Sequence, residues 1–476
     1  MKARHWRENA LTVGGMTLAL FAAQALLMHR WLAHLTGWGD ALALSALFSL
    51  AFGGMMAAFA HVTRPGQKGL LFAGGFAALA MLARVSMLDY LSADYVSFLS
   101  LWLDTFREGG FRMLAENVGD YNLLYQYVLL LIAKTPLHDL YLIKLFSVIF
   151  DCALAVAMCC AARQLAGERT GLPVMCAVLA MPTVLMNGAC WAQCDAVYAF
   201  FVVLCLCWLE DGRPALSAAS LAIAFAFKLQ TIFFFPVVLL ALIHKKYKLR
   251  HALCFAAAYL VTMLPAIAAG RSLLDALSVY ASQSMGQYFD RLSYNAPNLY
   301  LFFPMMNMEA TQEYTWMRYI DGFDVKASNT YLIEALFPTL QRAALYACVI
   351  LTLLVVIYWL THADEVTPDM TLAFALFFAI FLPFVMPKIH ERYFFLADML
   401  SLLYATKRAD RRFVPALVAG ASAMSYHSFL TRQRPVDERW LALMMLAALL
   451  VVGRDLLTAM RANRAAMRAA KGGDPA

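Results

Sequence analysis

The chain has 476 residues, of which 62% are hydrophobic and only 14% are charged. A soluble domain carries about a quarter charged residues, so this composition excludes an ordinary soluble globule and indicates a polytopic membrane protein. The formal net charge is +7. Because the lysines and arginines lie between apolar runs and not in one basic block, nucleic acid is not an expected partner.

The apolar runs predict an all-α integral membrane protein with about 14 transmembrane helices. The predicted spans lie near residues 10–29, 41–61, 69–88, 138–163, 171–187, 193–209, 214–228, 230–243, 251–270, 332–360, 369–387, 391–405, 412–430 and 438–459. Several of them are shorter than the ~20 residues that cross a bilayer. Short segments are tolerated where neighbouring helices shield them or where they line a cavity.

The basic loops predict the orientation, because cytoplasmic loops carry an excess of lysine and arginine. Both termini and the basic loops near 64–68, 245–250 and 407–412 are therefore expected in the cytoplasm. These termini and basic loops all lie on the cytoplasmic side only if the run 121–134 does not cross the membrane. We therefore expect a re-entrant or surface-lying helix over residues 121–134. The outer loop 89–120 then faces the other side, together with the remaining polar clusters.

These elements divide the chain into five predicted regions. They are an N-terminal transmembrane hairpin (1–68), a core with the outer loop 89–120 (69–270), a second outer loop (271–331), C-terminal transmembrane helices (332–460) and a cytoplasmic tail (461–476). The second outer loop is either a plain surface loop or a lid over an acceptor.

The first outer loop gathers carboxylates that are costly near hydrocarbon. They are Asp89, Asp94, Asp104, Glu108, Glu116 and Asp120. Residues 93–108 have helical spacing, and the Gly109-Gly110 pair ends that pattern before a second short helix. With Phe98, Trp102 and Phe106 on one face, the first helix is expected to lie on the membrane and present these rings to lipid.

Asp94 and Asp120 are the two carboxylates closest to the predicted membrane boundary. A partly desolvated carboxylate can act as a general base toward a hydroxyl group. The alternative is a structural role, as a helix cap or in an ion pair with Arg84, Arg107 or Arg112. The spacing of the residues leaves both interpretations open.

Several short motifs resemble those of one superfamily. The segment A-D-Y-V-S-F-L-S-L-W (93–102) is similar to the first-loop aspartate motif of the GT-C membrane glycosyltransferases. W-A-Q-C-D (191–195) resembles the W-x-Q-x-D of the GPI-mannosyltransferase-II-like family, which has bacterial members, and H-E-R (390–392) is like a motif on a late span. The chain is also similar to the endoplasmic-reticulum glucosyltransferases that use dolichyl-phosphate glucose. Their second motif, D-Y-P-P, reads D-Y-N-L (120–123) here and lacks the prolines.

This resemblance implies a GT-C fold and inverting transfer of a hexose, mannose by nearest similarity, from a polyprenyl-phosphate donor. The expected acceptor is an outward-facing glycan or glycolipid, and membrane lipid surrounds the protein. Asp94 would be the general base on the non-cytoplasmic face. The composition, rich in alanine and arginine, suggests a bacterial plasma membrane.

The remaining site residues follow from the same resemblance and from charge. Asp120, Tyr121, Gln193 and Asp195 are expected around the acceptor and the sugar. A departing lipid phosphate needs cationic groups at its oxygens, and the expected ones are Lys228, His390, Arg392 and Arg291. The alternatives are a snorkelling lysine at the interface for Lys228, a hydrogen-bonded core histidine for His390 and a solvated arginine for Arg291. Lys228 interrupts an apolar run, so a phosphate or a carboxylate such as Asp195 should meet it. No cofactor and no metal are expected, although clustered carboxylates could hold a divalent cation, which the effect of EDTA would test.

Two other functions fit the same residues. A transporter or flippase for the lipid-linked sugar would need the groove and the cations but no base. A non-catalytic subunit of an envelope-polysaccharide assembly would use the acidic loop only to dock a partner.

Overall fold

A computed structural model describes residues 2–285, 292–302 and 337–472. Arg291 and most of the predicted lid, including 303–331, lie outside the described residues. The helices are α1 (Lys2–Trp31), α2 (Trp38–Thr63), α3 (Gln67–Val85), α4 (Ser100–Gly109), α5 (Leu123–Ala133), α6 (Asp139–Ala166), α7 (Gly171–Ala180), α8 (Pro182–Leu185), α9 (Asp195–Glu210), α10 (Pro214–Phe227), α11 (Phe235–Ile243), α12 (Leu249–Val261), α13 (Leu264–Ala268), α14 (Leu273–Met285), α15 (Phe337–Thr361), α16 (Thr371–Val385), α17 (Phe395–Lys407), α18 (Val414–Thr431) and α19 (Glu438–Gly472).

The prediction of an all-α membrane protein is confirmed at this level of detail. In the described part of the chain, eight helices are long and apolar enough to cross a membrane, or nine if one bent pair counts as a span. Four further apolar helices are shorter, and α9 has only 16 residues. The number 14 therefore stays a prediction. Among the described residues, the only strands are the two-residue β1 (Ser293–Tyr294) and β2 (Ile389–His390), which pair in parallel.

The predicted span 171–187 is broken near its middle. The helical segments Glu168–Ala180 and Pro182–Cys190 meet at an angle of 50°. Proline cannot donate a backbone hydrogen bond and disfavours helical geometry at the residue before it, and Met181 accordingly has an extended ψ of 124°. A π-helical turn, Met186–Cys190, follows and leads the chain into the W-A-Q-C-D segment.

The chain forms two compact units. The first contains residues 1–232 and 248–284, and the second contains residues 233–247 and 285–476. In the first unit α6 packs against α2, α7 and α9, and α10 packs against α9 and α12. In the second unit α16 packs against α17 and α19, while α18 contacts both of those helices.

The centre of the first unit contains charged side chains that are fully buried. Arg84 of α3 donates through Nε to Asp151 Oδ2 of α6 at 3.0 Å, and neither side chain is more than 1% exposed. The Arg84 Nη1 donates to the carbonyl oxygens of Ala80 and Leu179. This pair ties α3 to α6 inside an apolar helix bundle, where an unpaired charge would be costly.

Two of the three rings that were predicted to face lipid from the helix in the first outer loop pack against the protein. A π-helical turn at Tyr95–Leu99 precedes α4, and an extra residue in a turn rotates the following side chains by about 100°. Phe106 is buried, and the ring of Trp102 lies 5.9 Å from that of Tyr121. The face predicted to contact lipid is therefore largely packed against the protein, and only Phe98 of the three rings is exposed.

The last helix is much longer than a bilayer requires. With 35 residues, α19 extends about 52 Å, compared with about 30 Å of hydrocarbon. The predicted tail from residue 461 thus continues the helix of the last span as far as Gly472. Arg464 on this extension pairs with Glu365 of the same unit at 2.5 Å.

Candidate active site

The segment that leads to Asp94 is fixed by a buried lysine. Lys144 of α6 is completely buried, and its ammonium group satisfies backbone oxygens that follow the end of α3. It donates to the carbonyl oxygens of Met87, Leu88 and Tyr90 at 3.1, 2.7 and 2.8 Å. Buried backbone carbonyls need a hydrogen-bond partner, so this one cation satisfies three carbonyls that follow α3 and fixes the path of the loop.

Asp94 itself is half-buried and accepts two side-chain hydrogen bonds. Its Oδ2 accepts from the indole Nε1 of Trp191 at 3.0 Å and from Nε2 of Gln193 at 2.7 Å. Among the described residues, Oδ1 has no hydrogen-bond partner. One carboxylate oxygen is therefore held in place, and the other can accept a proton.

The arginines that sequence analysis offered as alternative partners of Asp94 bind elsewhere or lie on the surface. Arg84 pairs with Asp151, and Arg107 pairs with Asp104 and Asp139. Arg112 is exposed. The described residues therefore give Asp94 no arginine partner, and its two hydrogen bonds come from neutral donors.

The two donors of Asp94 converge because of an unusual backbone conformation. Ala192, between Trp191 and Gln193, has a left-handed φ of 66°. A non-glycine residue in this region costs roughly 1–2 kcal/mol. The backbone of Gln193 is held on both sides, since its N–H donates to Asn187 O at 2.9 Å and its carbonyl accepts from Ser147 Oγ at 2.6 Å.

A second group of polar side chains continues from Gln193. The hydroxyl of Tyr121 donates to Gln193 Oε1 at 2.7 Å, and the ammonium of Lys228 lies 5.6 Å from the centre of the Tyr121 ring. Lys228 Nζ also pairs with Asp195 Oδ1 at 2.5 Å, and Asn187 Nδ2 donates to Asp195 Oδ2 at 2.6 Å. We call Asp94, Tyr121, Trp191, Gln193, Asp195 and Lys228 the Asp94 cluster.

The ends of two helices position the ion pair of the Asp94 cluster. Asp195 begins α9, where a carboxylate is favoured by the helix dipole, and Lys228 follows the last residue of α10. Asp195 is completely buried, and Lys228 is only 4% exposed. Asp195 is thus one of the two partners that sequence analysis offered for Lys228.

Other carboxylates of the first outer loop have structural partners. Asp89 accepts from the hydroxyl of Tyr141 at 2.5 Å and from the backbone N–H of Ala33 at 3.0 Å. The hydroxyl of Tyr95, next to Asp94, donates to Asp139 Oδ1 at 2.6 Å. Burial, with a smaller contribution from this bond, raises the pKa of Tyr95 above its usual range. The tyrosine therefore stays protonated and keeps the beginning of the loop helix attached to α6.

The contacts that define the Asp94 cluster do not include the other four predicted site residues. Asp120 is exposed, and the described residues offer it no hydrogen bond or ion pair. His390 and Arg392 belong to the second unit, where the imidazole of His390 stacks on the ring of Tyr294 with centroids 4.6 Å apart. Arg291 lies outside the described residues.

Several residues that build this site were not predicted from the sequence. Trp191 was part of a quoted motif without a role, and Asn187, Ser147 and Lys144 were not considered. A signal was present for Lys144, because it lies with Asp151 inside one apolar run, seven residues apart. Ionisable residues in a membrane span usually have a structural or functional partner.

No group of three or more histidine, cysteine, aspartate or glutamate side chains in the described ranges is arranged to hold a metal ion. Comparison of the sequence with protein-family models gives no match, and comparison with curated proteins gives none. The geometry of the Asp94 cluster and the resemblance of its motifs are therefore the observations from which a function can be inferred.

Proposed function

We propose that the protein is an inverting membrane glycosyltransferase that uses a polyprenyl-phosphate hexose as donor. The observation that carries this proposal is the half-buried carboxylate of Asp94, with Oδ2 held by Trp191 and Gln193 and Oδ1 without a partner among the described residues. Asp94 is the proposed general base. The acceptor is a glycan or a lipid-linked glycan, and mannose is the proposed sugar.

In the proposed reaction the acceptor hydroxyl attacks the anomeric carbon from the face opposite the phosphate. Its proton moves to Asp94 Oδ1 while the new carbon–oxygen bond forms. The bond between the anomeric carbon and the phosphate oxygen breaks, and polyprenyl phosphate leaves with the bonding electrons. The two fixed donors on Oδ2 keep the carboxylate oriented, so less reorganisation is needed as the reaction proceeds.

Lys228 is proposed to donate hydrogen bonds to the leaving phosphate, but with fewer N–H groups than an unpaired lysine would have. Its pairing with Asp195 partly neutralises the ammonium, so Lys228 has to share its N–H groups between this carboxylate and the phosphate. Asp195 and Tyr121 then set the direction of the ammonium group. The phosphate contacts of His390 and Arg392 stay predictions, which the activity of His390→Ala and Arg392→Ala tests.

The remaining features of the proposal concern the membrane. They are a GT-C fold with 14 crossings, a bacterial plasma membrane and a site on the non-cytoplasmic face. Cysteine labelling from outside intact cells tests the last point, because a cysteine in place of the exposed Asp120 should react with an impermeant thiol reagent. Labelling that requires permeabilised cells would contradict the orientation.

The test of the function is an incubation of the purified protein with synthetic polyprenyl-phosphate hexoses and extracted acceptor lipids. We expect a glycosylated product whose new linkage has the opposite anomeric configuration to the donor. If purified protein in vesicles instead moves the labelled donor across the bilayer and forms no product, the protein is a flippase. Retained configuration in the product would contradict the direct displacement.

A further inference from the structure

A second feature of the first unit lies in a groove between α2, α6 and α9. The groove has a volume of about 950 Å³, and its walls are mainly apolar, with Leu50, Ile149, Val156 and Leu204 among them. The groove is open beside Gly54 of α2, where an added Cβ atom would meet nothing within 4 Å. A groove of this size and lining suits hydrocarbon chains.

One end of the groove is polar and carries charges of both signs. Arg163 and Gln164 near the end of α6 lie there together with Glu168 and Asp211. Asp211 Oδ1 accepts from Gln164 Nε2 at 2.7 Å. Trp208 also lines this end, as tryptophan often does at the level of lipid headgroups.

The guanidinium of Arg163 is incompletely satisfied. Its Nη1 donates to Val62 O at 2.6 Å, and its Nη2 pairs with Glu168. Its Nε is buried and has no acceptor among the described residues. The side chain of Arg163 as a whole is 14% exposed and lines the groove. A guanidinium has five N–H donors, so the N–H groups of Nη1 and Nη2 that do not bond to Val62 or Glu168 can meet an oxygen atom in the groove.

The groove is long enough for the acyl chains of a lipid from one leaflet. The part of α6 that lines its apolar walls, from Leu145 to Cys160, rises about 22 Å, whereas half of the hydrocarbon core measures about 15 Å. The polar end lies at the C-terminus of α6. The N-terminus of that helix is the end at which Asp139 bonds to Tyr95, next to Asp94, so the headgroup would be in the leaflet opposite the Asp94 cluster.

We infer that this groove binds a phospholipid with a phosphate and a primary ammonium group, such as phosphatidylethanolamine. The phosphate or ester oxygens of the lipid accept hydrogen bonds from the remaining Nη N–H groups of Arg163. The ammonium donates to the carboxylates of Asp211 and Glu168, the latter being 77% exposed. The acyl chains lie along the apolar walls.

The charges of the groove favour this headgroup over the other common ones. Two carboxylates and one arginine line the polar end, so a purely anionic lipid would meet an excess of like charge. A choline headgroup carries a similar positive charge but has no N–H group to donate to Asp211. Selectivity should therefore depend on the hydrogen-bonding ammonium.

The test is native mass spectrometry of the purified protein after equilibration with equal amounts of phosphatidylethanolamine, phosphatidylcholine and phosphatidylglycerol. We expect the ethanolamine lipid to be retained preferentially. Asp211→Asn should reduce the ethanolamine-to-choline ratio by about two- to fivefold, the range for a partly exposed ion pair. Gly54→Leu should lower total bound lipid by about tenfold or more, since the new side chain occupies the space of an acyl chain.

The matched control is Gly75→Leu, at an exposed glycine of α3 that likewise has nothing within 4 Å and does not line the groove. It should leave lipid retention unchanged. If Gly54→Leu does not fold, as judged by its thermal transition, Ala58→Leu fills the same groove. Equal retention of the three lipids, or full retention by a folded groove-filling variant, would overturn the inference.

Discussion

The first unit contains two buried ion pairs whose surroundings differ. Arg84 and Asp151 join α3 to α6, and the other hydrogen bonds of the guanidinium go to helix carbonyls. Lys228 and Asp195 lie at the ends of two helices and are linked through Tyr121 and Gln193 to Asp94. Both pairs are almost completely buried. Burial of charge therefore does not distinguish a structural pair from a site, whereas the neighbours of the pair do.

The largest effect on stability is expected when one partner of each ion pair is replaced. Lys228→Met and Asp151→Leu each leave an uncompensated buried charge, which costs about 3–5 kcal/mol. We expect both variants to lose a large part of their stability in a chemical denaturation series in detergent. If either variant is as stable as the parent protein, the corresponding side chains do not form a buried ion pair.

The double replacements separate structure from function. Arg84→Met/Asp151→Leu and Lys228→Met/Asp195→Leu should each recover most of the lost stability, because apolar residues of similar volume can replace a buried pair. Only the first double variant is expected to recover sugar transfer. Recovery of transfer in the second would show that the ion pair next to Tyr121 is also only structural.

A smaller effect is expected from one donor of Asp94. Trp191→Phe keeps an aromatic ring and removes the N–H group that bonds to Oδ2. A hydrogen bond to a charged group contributes about 1.5–3 kcal/mol, so the transfer rate should fall by about 10- to 100-fold. Trp102→Phe is the control, since this ring packs on Tyr121 in the same region, and it should change the rate much less. Equal losses in the two variants would contradict a specific role for the indole N–H.

The smallest effect concerns the strained residue between the two donors. Ala192→Gly removes the cost of a left-handed alanine and adds some unfolded-state entropy, so stability should rise by up to about 1 kcal/mol. The transfer rate should fall by about two- to threefold, because Trp191 and Gln193 are less firmly directed. A loss of stability greater than about 1 kcal/mol would mean that the alanine conformation is not strained.

The apolar runs predicted the helices well because each run buries or covers a continuous apolar surface. The run 121–134 was predicted as a helix and forms α5, and the break of the span 171–187 follows from Pro182. The prediction of which side of the loop helix contacts lipid was wrong. The spacing of apolar residues does not indicate the π-helical turn at Tyr95–Leu99, which changes the direction of the side chains that follow it. The number of membrane crossings does not follow from the lengths of the apolar runs. Helices such as α9 and α12 are shorter than the thickness of a bilayer, so their length alone does not say whether they cross it.

The contacts of the candidate site depend on distant parts of the sequence. Asp94 is 97 and 99 residues away from the donors that hold it. A motif resemblance indicated that both segments matter, but it did not show that they touch. Lys228 was recognisable in the sequence as a charge that needs a partner. That the partner is Asp195 depends on the tertiary structure, which brings the start of α9 close to the end of α10.

The central claim is that Asp94 takes the proton of the acceptor, and Asp94→Asn tests it most directly. The amide oxygen can still accept from Trp191 and Gln193, so the geometry is expected to remain, while the amide cannot act as a base. The control is Asp104→Asn, at an exposed carboxylate of the same loop that pairs with Arg107. With stability and donor binding unchanged, the initial rate of sugar transfer should fall by about 10²- to 10⁴-fold for Asp94→Asn and stay near the parent value for the control. A rate within about threefold of the parent for Asp94→Asn would contradict the account.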